Sequence, residues 1–576
     1  MRGGPARELD ARGVRELEVR GVRELDARGV RAYSRRAPVR AWAPRAVLAW
    51  ARTHCDTTAL LLAAGAFAVY MFFSWYTWVN FSSPSWDQGI FTQLADQYAR
   101  WQFPPIVDIK GPGFNLWGDH FHPILLLTGP LFWLWPSGLS LLTLQAVLFG
   151  ISVYPIARFA RARVGAVPGT LIGVAYAASW GLTSALVVQF HEIAFAVPLL
   201  AFGLTAWLEG RYRSAAVLIS LLVFVKEDLG LTVACFGVLV ALLSWRGARG
   251  HGGASSTGGV AAAGSAGQCG GHGARDWPEM AGIGAFLAAW GTAWFLAATQ
   301  VILPAFNNSG QWDYAGRVRE GLNLASMILE PNRWGTLCYI VAALGIVGLR
   351  SPWAALLLPT LAWRFAGDNP YYWTILWHYS AVLAPIIAVA LTDGLARAGA
   401  RGVVVPPPEA QESEAPAAAT TQHETLGVLA RRPRLAAAAL ALALASSVLG
   451  TASNGFGSWL TGRSNTQQYV YFSDYGASQT AEQRDGARAA VAAAGTGRHI
   501  LADVVMMAYV VPGNTVYWEH SYGGAYIDTV VFSNRLNHGD GAQVVAWITA
   551  KVGGQWHIVT EDAGYVVVAR DGTDGR

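Results

Sequence analysis

PILLLTGPLFWLWP, residues 123–136, is the stretch on which the topology turns. It is apolar enough to enter a bilayer, but crossing one takes about 20 residues, and Pro130 and Pro136 interrupt it further. It reads as a re-entrant or interfacial helix, with a crossing in a thinned site as the alternative. Eleven other apolar runs are long enough to span when tilt is allowed, near 57–79, 138–157, 167–189, 192–208, 213–226, 229–245, 281–303, 334–349, 352–366, 374–396 and 434–452.

Charge separates the two readings. Arginine clusters precede the first run (thirteen from Arg2 to Arg52) and recur at Arg158/Arg161/Arg163, Arg211/Arg213, Arg246/Arg249/Arg275, Arg350, and Arg397 through Arg434. The positive-inside rule puts all of them in the cytoplasm. Eleven crossings that leave out 123–136 satisfy every cluster, whereas a crossing there inverts everything downstream. The sequence therefore predicts an all-α polytopic membrane domain of about 11 transmembrane helices over 57–452. The N-terminus is expected in the cytoplasm and a small C-terminal α/β domain, 453–576, on the extracytoplasmic side.

Composition agrees with the membrane class. The chain has 576 residues, 53% hydrophobic and 14% charged, with mean hydropathy +0.31, where a soluble domain carries about 25% charge. No Arg/Lys-and-aromatic array of the nucleic-acid-binding type appears. The four cysteines, Cys55, Cys235, Cys269 and Cys338, are scattered, which argues against a disulfide framework or a zinc module. No cleavable signal peptide is expected, because the first apolar run is too long for one.

Three low-complexity segments are expected to bury no core. Residues 1–56 are basic and open with the octads RELDARGV, RELEVRGV and RELDARGV over 7–30, a disordered or weakly helical segment. Residues 247–274 are Gly/Ser/Ala-rich and 399–425 are Pro/Ala/Glu-rich, both flexible cytoplasmic loops. Beyond 453, HILADVVMMAYVV, NTVYWEH, IDTVVFS, WHIVT and AGYVVVAR alternate as strands, and TAEQRDGARAAVAAAG reads as a helix.

The predicted topology gathers ionisable residues at one membrane face. The stretch from Asn80 to Pro123 carries Asp87, Asp96, Asp108, Lys110, Asp119, His120 and His122 among Trp86, Trp101, Phe103, Phe114 and Trp117. His191-Glu192 and Lys226-Glu227-Asp228 fall in tight outer turns. Arg317, Arg319 and Glu320 lie in the loop 304–333, and Arg364, Asp368 and His378 flank a further outer turn. Charged groups beside apolar runs face a cavity or a partner, so the convergence argues for one site.

Each residue also has a plainer reading. Asp87 suits the N-cap of QGIFTQLADQYARW as well as a catalytic role. His120 and His122 with Asp119 suit a metal only if a third ligand is placed, and otherwise a phosphate or loop backbone. Lys226 with its carboxylates is either a self-neutralising cluster or a phosphate-binding cation. His191-Glu192 divides between turn structure and site, and Arg317 and Arg319 suit a solvated face.

In order along the chain, WDQGIFTQ, NLWGDHFHPILLLTGPLFWLWP, QFHE, KEDLGL, LPAF and LPTLAWRFAGDNPYYWTILWHYSAVLAPII resemble the family catalogued as domain of unknown function 2079, over roughly residues 60–400. That family is considered similar to the GT-C class of membrane glycosyltransferases. The resemblance implies a sugar donor on polyprenyl phosphate, a glycan, lipid or protein acceptor in the cell envelope, and an acidic residue of the first outer loop, here Asp87, as base or metal ligand. The class commonly shows a DD or ED pair and this chain has a lone WD, so Asp87 is expected to act unaided, with a divalent metal kept as the alternative. Lys226, Glu227, Asp228, Asp119, His120, His122, His191, Glu192, Arg364 and His378 are the expected substrate-binding residues. A transporter or flippase of lipid-linked sugar, and a non-catalytic envelope scaffold, are the rival readings. No second copy of the WDQG or DHFHP pattern supports the inverted repeats that a transporter would want.

Overall fold

In the computed structural model of the chain, the described residues are 56–82, 85–252, 277–314, 316, 329–400, 432–462, 479–533, 536 and 538–572. The octad repeat, most of both low-complexity loops, Arg317, Arg319 and Glu320 lie outside them. Helices account for most of the described chain, and a small sheet closes it. Among the described residues Cys235 and Cys338 are free thiols.

Among the described residues six helices are long and apolar enough to cross a bilayer. They are α1 (Thr57–Val79), α4 (Gly138–Val164), α5 (Ala166–Val187), α8 (Leu229–Arg249), α9 (Trp277–Phe306) and α14 (Pro433–Ala452). A seventh is reached if α12 (Pro370–Ser380) and α13 (Leu383–Gly399), bent by 73°, form one broken span. The chain is thus a multi-pass membrane protein. Between the long helices lie α2 (Trp86–Ala99), α3 (Pro123–Leu134), α6 (Glu192–Leu208), α7 (Tyr212–Phe224), α10 (Pro331–Ala343) and α11 (Leu358–Ala366).

Length and composition therefore do not reach the eleven expected spans. The remaining four runs are present as the shorter helices α6, α7, α10 and α11. The 13 residues of α10 rise only about 20 Å, against about 30 Å of hydrocarbon. Backbone geometry explains that break: Gly345 and Ile346 turn left-handed, at φ 54° and 58°. A Cβ on Gly345 would stand 2.6 Å from the Ala439 carbonyl. The run 352–366 is divided in the same spirit, a 3₁₀ stretch from Pro352 to Leu357 preceding α11.

Two ends of the helical body are distinguished by the chain path. Arg158 and Arg211 both pair with Glu209, and Arg213 pairs with Glu279 at 2.8 Å. These residues sit where α4 and α6 finish and α7 begins. The turns 188–192 and 226–228, at the other termini of α6 and α7, lie at the opposite end.

The C-terminal sheet has five strands: β1 (His499–Ala502), β2 (Thr515–Trp518), β3 (Thr529–Ser533), β4 (Trp556–Asp562) and β5 (Tyr565–Arg570). Their order is β2-β1-β3-β5-β4. Strand β1 runs parallel to both neighbours, with Leu501 opposite Tyr517 and Val530, while β3/β5 and β4/β5 are antiparallel. Helices α16 (Ala481–Ala494) and α17 (Gly541–Val552) each start on a capping box, Thr480 with Gln483 and Asp540 with Gln543. Residues 455–461 instead form α15 (Gly455–Thr461), whose Phe456 and Trp459 pack on Phe73 of α1 at 4.9 and 5.2 Å.

This domain sits on α2. Tyr509 stacks on Trp78 at 4.0 Å and donates its hydroxyl to the Trp78 carbonyl. Gln93 of α2 donates to Val516 O and accepts from Ile109 N, tying helix, loop and sheet together. At Gly89 a Cβ would stand 2.7 Å from Met507 Sδ, so the helix face is bare where the domain presses closest.

Asp503, just past β1, is fully buried and accepts from the backbone N–H groups of Val505, Met506 and Ser533. Burial still pushes its pKa up to about 6, against those bonds and the nearby His538. An acid raised in the folded state holds its proton more tightly folded than unfolded. Its contribution is therefore greatest at low pH and is lost as pH rises from 3.8 to about 6. We expect the wild-type protein to lose on the order of 2–3 kcal/mol relative to Asp503→Asn across that window, with no further relative change above it. Unfolding of both proteins across pH 4 to 7 checks this, and parallel curves would sink it.

Candidate functional site

Ser85 caps α2, its hydroxyl accepting from Gln88 N at 3.2 Å. Asp87 is thereby left out of the capping role that its position suggested. It lies in the first turn, where the helix dipole favours an anion, and its side chain remains 38% exposed. Its Oδ2 stands 3.2 Å from Nε2 of buried His191, without the alignment of a hydrogen bond. Nδ1 of His191 lies 3.1 Å from the Gln189 carbonyl. The His191 ring stacks on His378 with centroids 3.6 Å apart.

From His191 the contacts run on through three turns. Neighbouring Glu192 is buried and accepts from Lys226 Nζ at 2.7 Å. Glu227, next to that lysine, contacts His120 Nδ1 at 2.7 Å and accepts from Phe121 N at 3.1 Å. Asp119, beside the histidine, pairs with Lys110 at 2.6 Å, and that ammonium lies 4.8 Å from the Phe114 ring centre and 5.5 Å from that of Trp86. His122 sits edge-on to Phe91, which is also edge-on to His191. Residues scattered from 87 to 378 thus form one cluster.

Electrostatics divides its members. Burial opposes the charge on Asp119, but His120 and Lys110 outweigh it and hold the carboxyl at about 2. Burial and Lys226 press His120 down, yet Glu227 and Asp119 raise it above the usual imidazole value. His122 is driven by burial to about 4 and is neutral at pH 7, although Glu192 pulls it the other way. Burial lifts Asp228 to about 6 despite Lys226. Lys110, Lys226 and His120 each have a carboxylate of their own. Among the described residues, His122 Nδ1, Asp228 Oδ1 and His378 Nδ1 are buried with no hydrogen-bond partner. Buried polar groups are rarely left so, and these three fall in the cluster.

Arg364 is placed otherwise than expected. Its fully buried guanidinium donates to the carbonyls of Tyr372 and Thr374 at 2.8 and 2.9 Å and to Ser380 Oγ at 3.1 Å. It holds the irregular segment before His378 in shape and has no donor aimed at the cluster in these bonds. Asp368 is exposed. Lys110 lies within the 80–123 stretch but carried no expected role, and a second member was not singled out from sequence: Tyr379, whose ring lies 4.0 Å from His378. Adjacency to His378 was the available signal for the second.

Among the described residues no three His, Cys, Asp or Glu side chains are grouped as a metal ion would need. Asp119, His120 and His122 do not converge, since Lys110 and Glu227 take the first two. The described residues do not fit a bound cation. An apolar cleft lined by Ile172, Trp180, Ala384, Ile387 and Ala443 borders Ser380, two residues from His378.

Residues 77–503 match the model of the family described as "Predicted membrane protein (DUF2079)". The chain belongs to that family. The matched range contains every residue of the cluster and ends just past β1. No curated protein matches the chain. Two solved structures are similar to it: ArnT from Cupriavidus metallidurans bound to undecaprenyl phosphate (12% identity, 89% of this chain and 98% of that one covered, TM-score 0.42), and ArnT from the same organism in the apo state (12%, 91% and 98%, TM-score 0.41).

Breaking a buried ion pair by removing one partner leaves an uncompensated charge and costs about 3–5 kcal/mol. Glu192→Ala is expected to destabilise this DUF2079 protein by that amount. The double variant Glu192→Leu, Lys226→Met removes both charges and is expected to recover most of it. Denaturant unfolding of the full chain in detergent gives both values, and a silent single variant would show that the pair holds nothing.

Proposed function

We propose that this DUF2079 protein is a membrane glycosyltransferase of the GT-C type. It takes a sugar from a polyprenyl-phosphate donor and gives it to a cell-envelope acceptor at the outer membrane face. The observation that carries the reading is Asp87: a half-exposed carboxylate, left free by Ser85, at the mouth of a buried cluster that holds cations and unpartnered polar atoms. The site of proton removal and the site of charge stabilisation then lie side by side. On this reading the cluster end of the helices is extracytoplasmic, as is the domain from 453 onward, and the arginine-rich end is cytoplasmic.

The acceptor hydroxyl attacks the anomeric carbon while Asp87 takes its proton. The bond from that carbon to the phosphate oxygen breaks, and the phosphate leaves with the electron pair. His191, 3.2 Å from Asp87, orients the carboxylate, and its stacking partner His378 backs the ring. Lys226 offers the protons not given to Glu192 to the departing phosphate, with His120 beside it. Fixed cations aimed at developing charge are the largest electrostatic lever such a site has. Glu227 and Asp228 position these cations, Asp119 holds Lys110, and His122 and Glu192 face the sugar. Exposed Leu127, Trp133 and Leu134 of α3 give a prenyl chain an apolar path to the cluster. The described residues do not form a cation site, and no step here runs through a metal.

General-base catalysis contributes about 10²- to 10⁴-fold. Asp87→Asn should therefore lower transfer of sugar in isolated membranes by that factor while leaving donor binding intact. Wild-type turnover in Asp87→Asn would show that Asp87 is not the base, whereas absence of transfer by the wild-type protein would favour a scaffold or a transporter. Lys226→Ala is expected to raise the apparent KM for donor, and unchanged donor dependence would remove its role.

A further inference from the structure

Arg333, in the first turn of α10, is only 2% exposed, yet Nε, Nη1 and Nη2 are all buried without a hydrogen-bond partner. Its guanidinium lies on the Trp373 ring, 4.1 Å from the centroid. The nearby acid Glu330 is turned elsewhere, its carboxylate accepting from the backbone N and side-chain amide of Asn332. Arg364, by contrast, has all three nitrogens occupied. A guanidinium withdrawn from water without an acceptor is costly. Stacking on an aromatic face recovers only part of that and leaves the in-plane donors without acceptors.

We propose that Arg333 and Trp373 form a binding site for the phosphate group of a membrane lipid. Planar, bidentate donors are the usual match for phosphate oxygens. The position suits a lipid headgroup: exposed Leu329 and Trp334 flank Arg333, an apolar and aromatic setting typical of the bilayer interface. The site is tied to the cluster end, because Thr336 of α10 donates to the Trp373 carbonyl at 2.6 Å. Trp373 in turn precedes Thr374, which Arg364 holds, and His378 follows four residues later. A headgroup seated here would bear on the segment that presents His378. The assignment holds whether or not Asp87 transfers a sugar.

The test is binding by the full chain in detergent micelles, read by native mass spectrometry. The probes are farnesyl phosphate, farnesol, phosphatidylglycerol and inorganic phosphate. Wild type is expected to bind at least one phosphate-bearing probe, and Arg333→Gln to bind it about 10- to 100-fold more weakly, with farnesol unchanged. Loss confined to farnesyl phosphate assigns the site to an isoprenyl lipid. Loss extending to phosphatidylglycerol assigns it to anionic headgroups in general, and equal loss for inorganic phosphate assigns it to the phosphate alone. Arg333→Lys keeps the charge but not the fork, so it should bind weakly too even if the glutamine variant fails to fold. Wild-type affinity for every phosphate probe in a folded Arg333 variant overturns the proposal.

Discussion

Buried carboxylates need cations, and this protein supplies them from other turns of the chain. Glu192 is met by Lys226, Glu227 by His120 and Asp119 by Lys110. Two of these pairs join separate segments and the third closes the loop after α2 on itself, so the turns 188–192 and 226–228 and that loop are fixed against one another by charge. Apolar packing could not do this as selectively, because it accepts many registers, whereas an unmatched ion in this setting is heavily penalised. The price is a cluster whose cations are already committed. Any anion that enters must share them, or find a cation that has stayed single.

The surroundings keep Asp87 in place. Its helix is gripped on one side by the C-terminal sheet through Gln93 and on the other by Phe190, whose backbone N–H donates to Gln88 Oε1. The segment facing it is irregular, and Arg364 takes the place of the backbone partners that a helix would have provided. Irregular backbone at membrane depth is tolerated where protein groups satisfy it, and here one guanidinium does most of that. The family match over residues 77–503 spans this whole arrangement.

Much of this was legible in the sequence, for identifiable reasons. Long apolar runs and alternating strands follow from periodicity, and four of the five strand stretches beyond residue 499 fall where alternation put them, whereas HILADVVMMAYVV leaves its strand after Ala502 and is helical at Met507–Val510. The gathering of His191, Glu192, Lys226, Glu227 and His120 at one end followed from charge and chain reversal alone. The count of spans did not follow, because hydropathy sees the apolar run at 334–349 but not the left-handed turn at Gly345 that ends its helix. Helix α17 went unread between strands. Arg364 and Arg333 look alike in sequence, each close to an aromatic-rich stretch. Only the positions of remote carbonyls separate a structural arginine from an open one. Ser85 likewise took the cap from Asp87 through a choice of geometry that residue type does not dictate.

The close seat of Met507 against Gly89 has a bearing on how the molecule is made. The groups that press on α2 and the loop after it, from Met507 through Val516 to Ser521, leave the ribosome some four hundred residues after the helix itself. Until those residues are made, that face of α2 has no cover. The surroundings of Asp87 are thus closed by chain that is synthesised long after the helix that carries it.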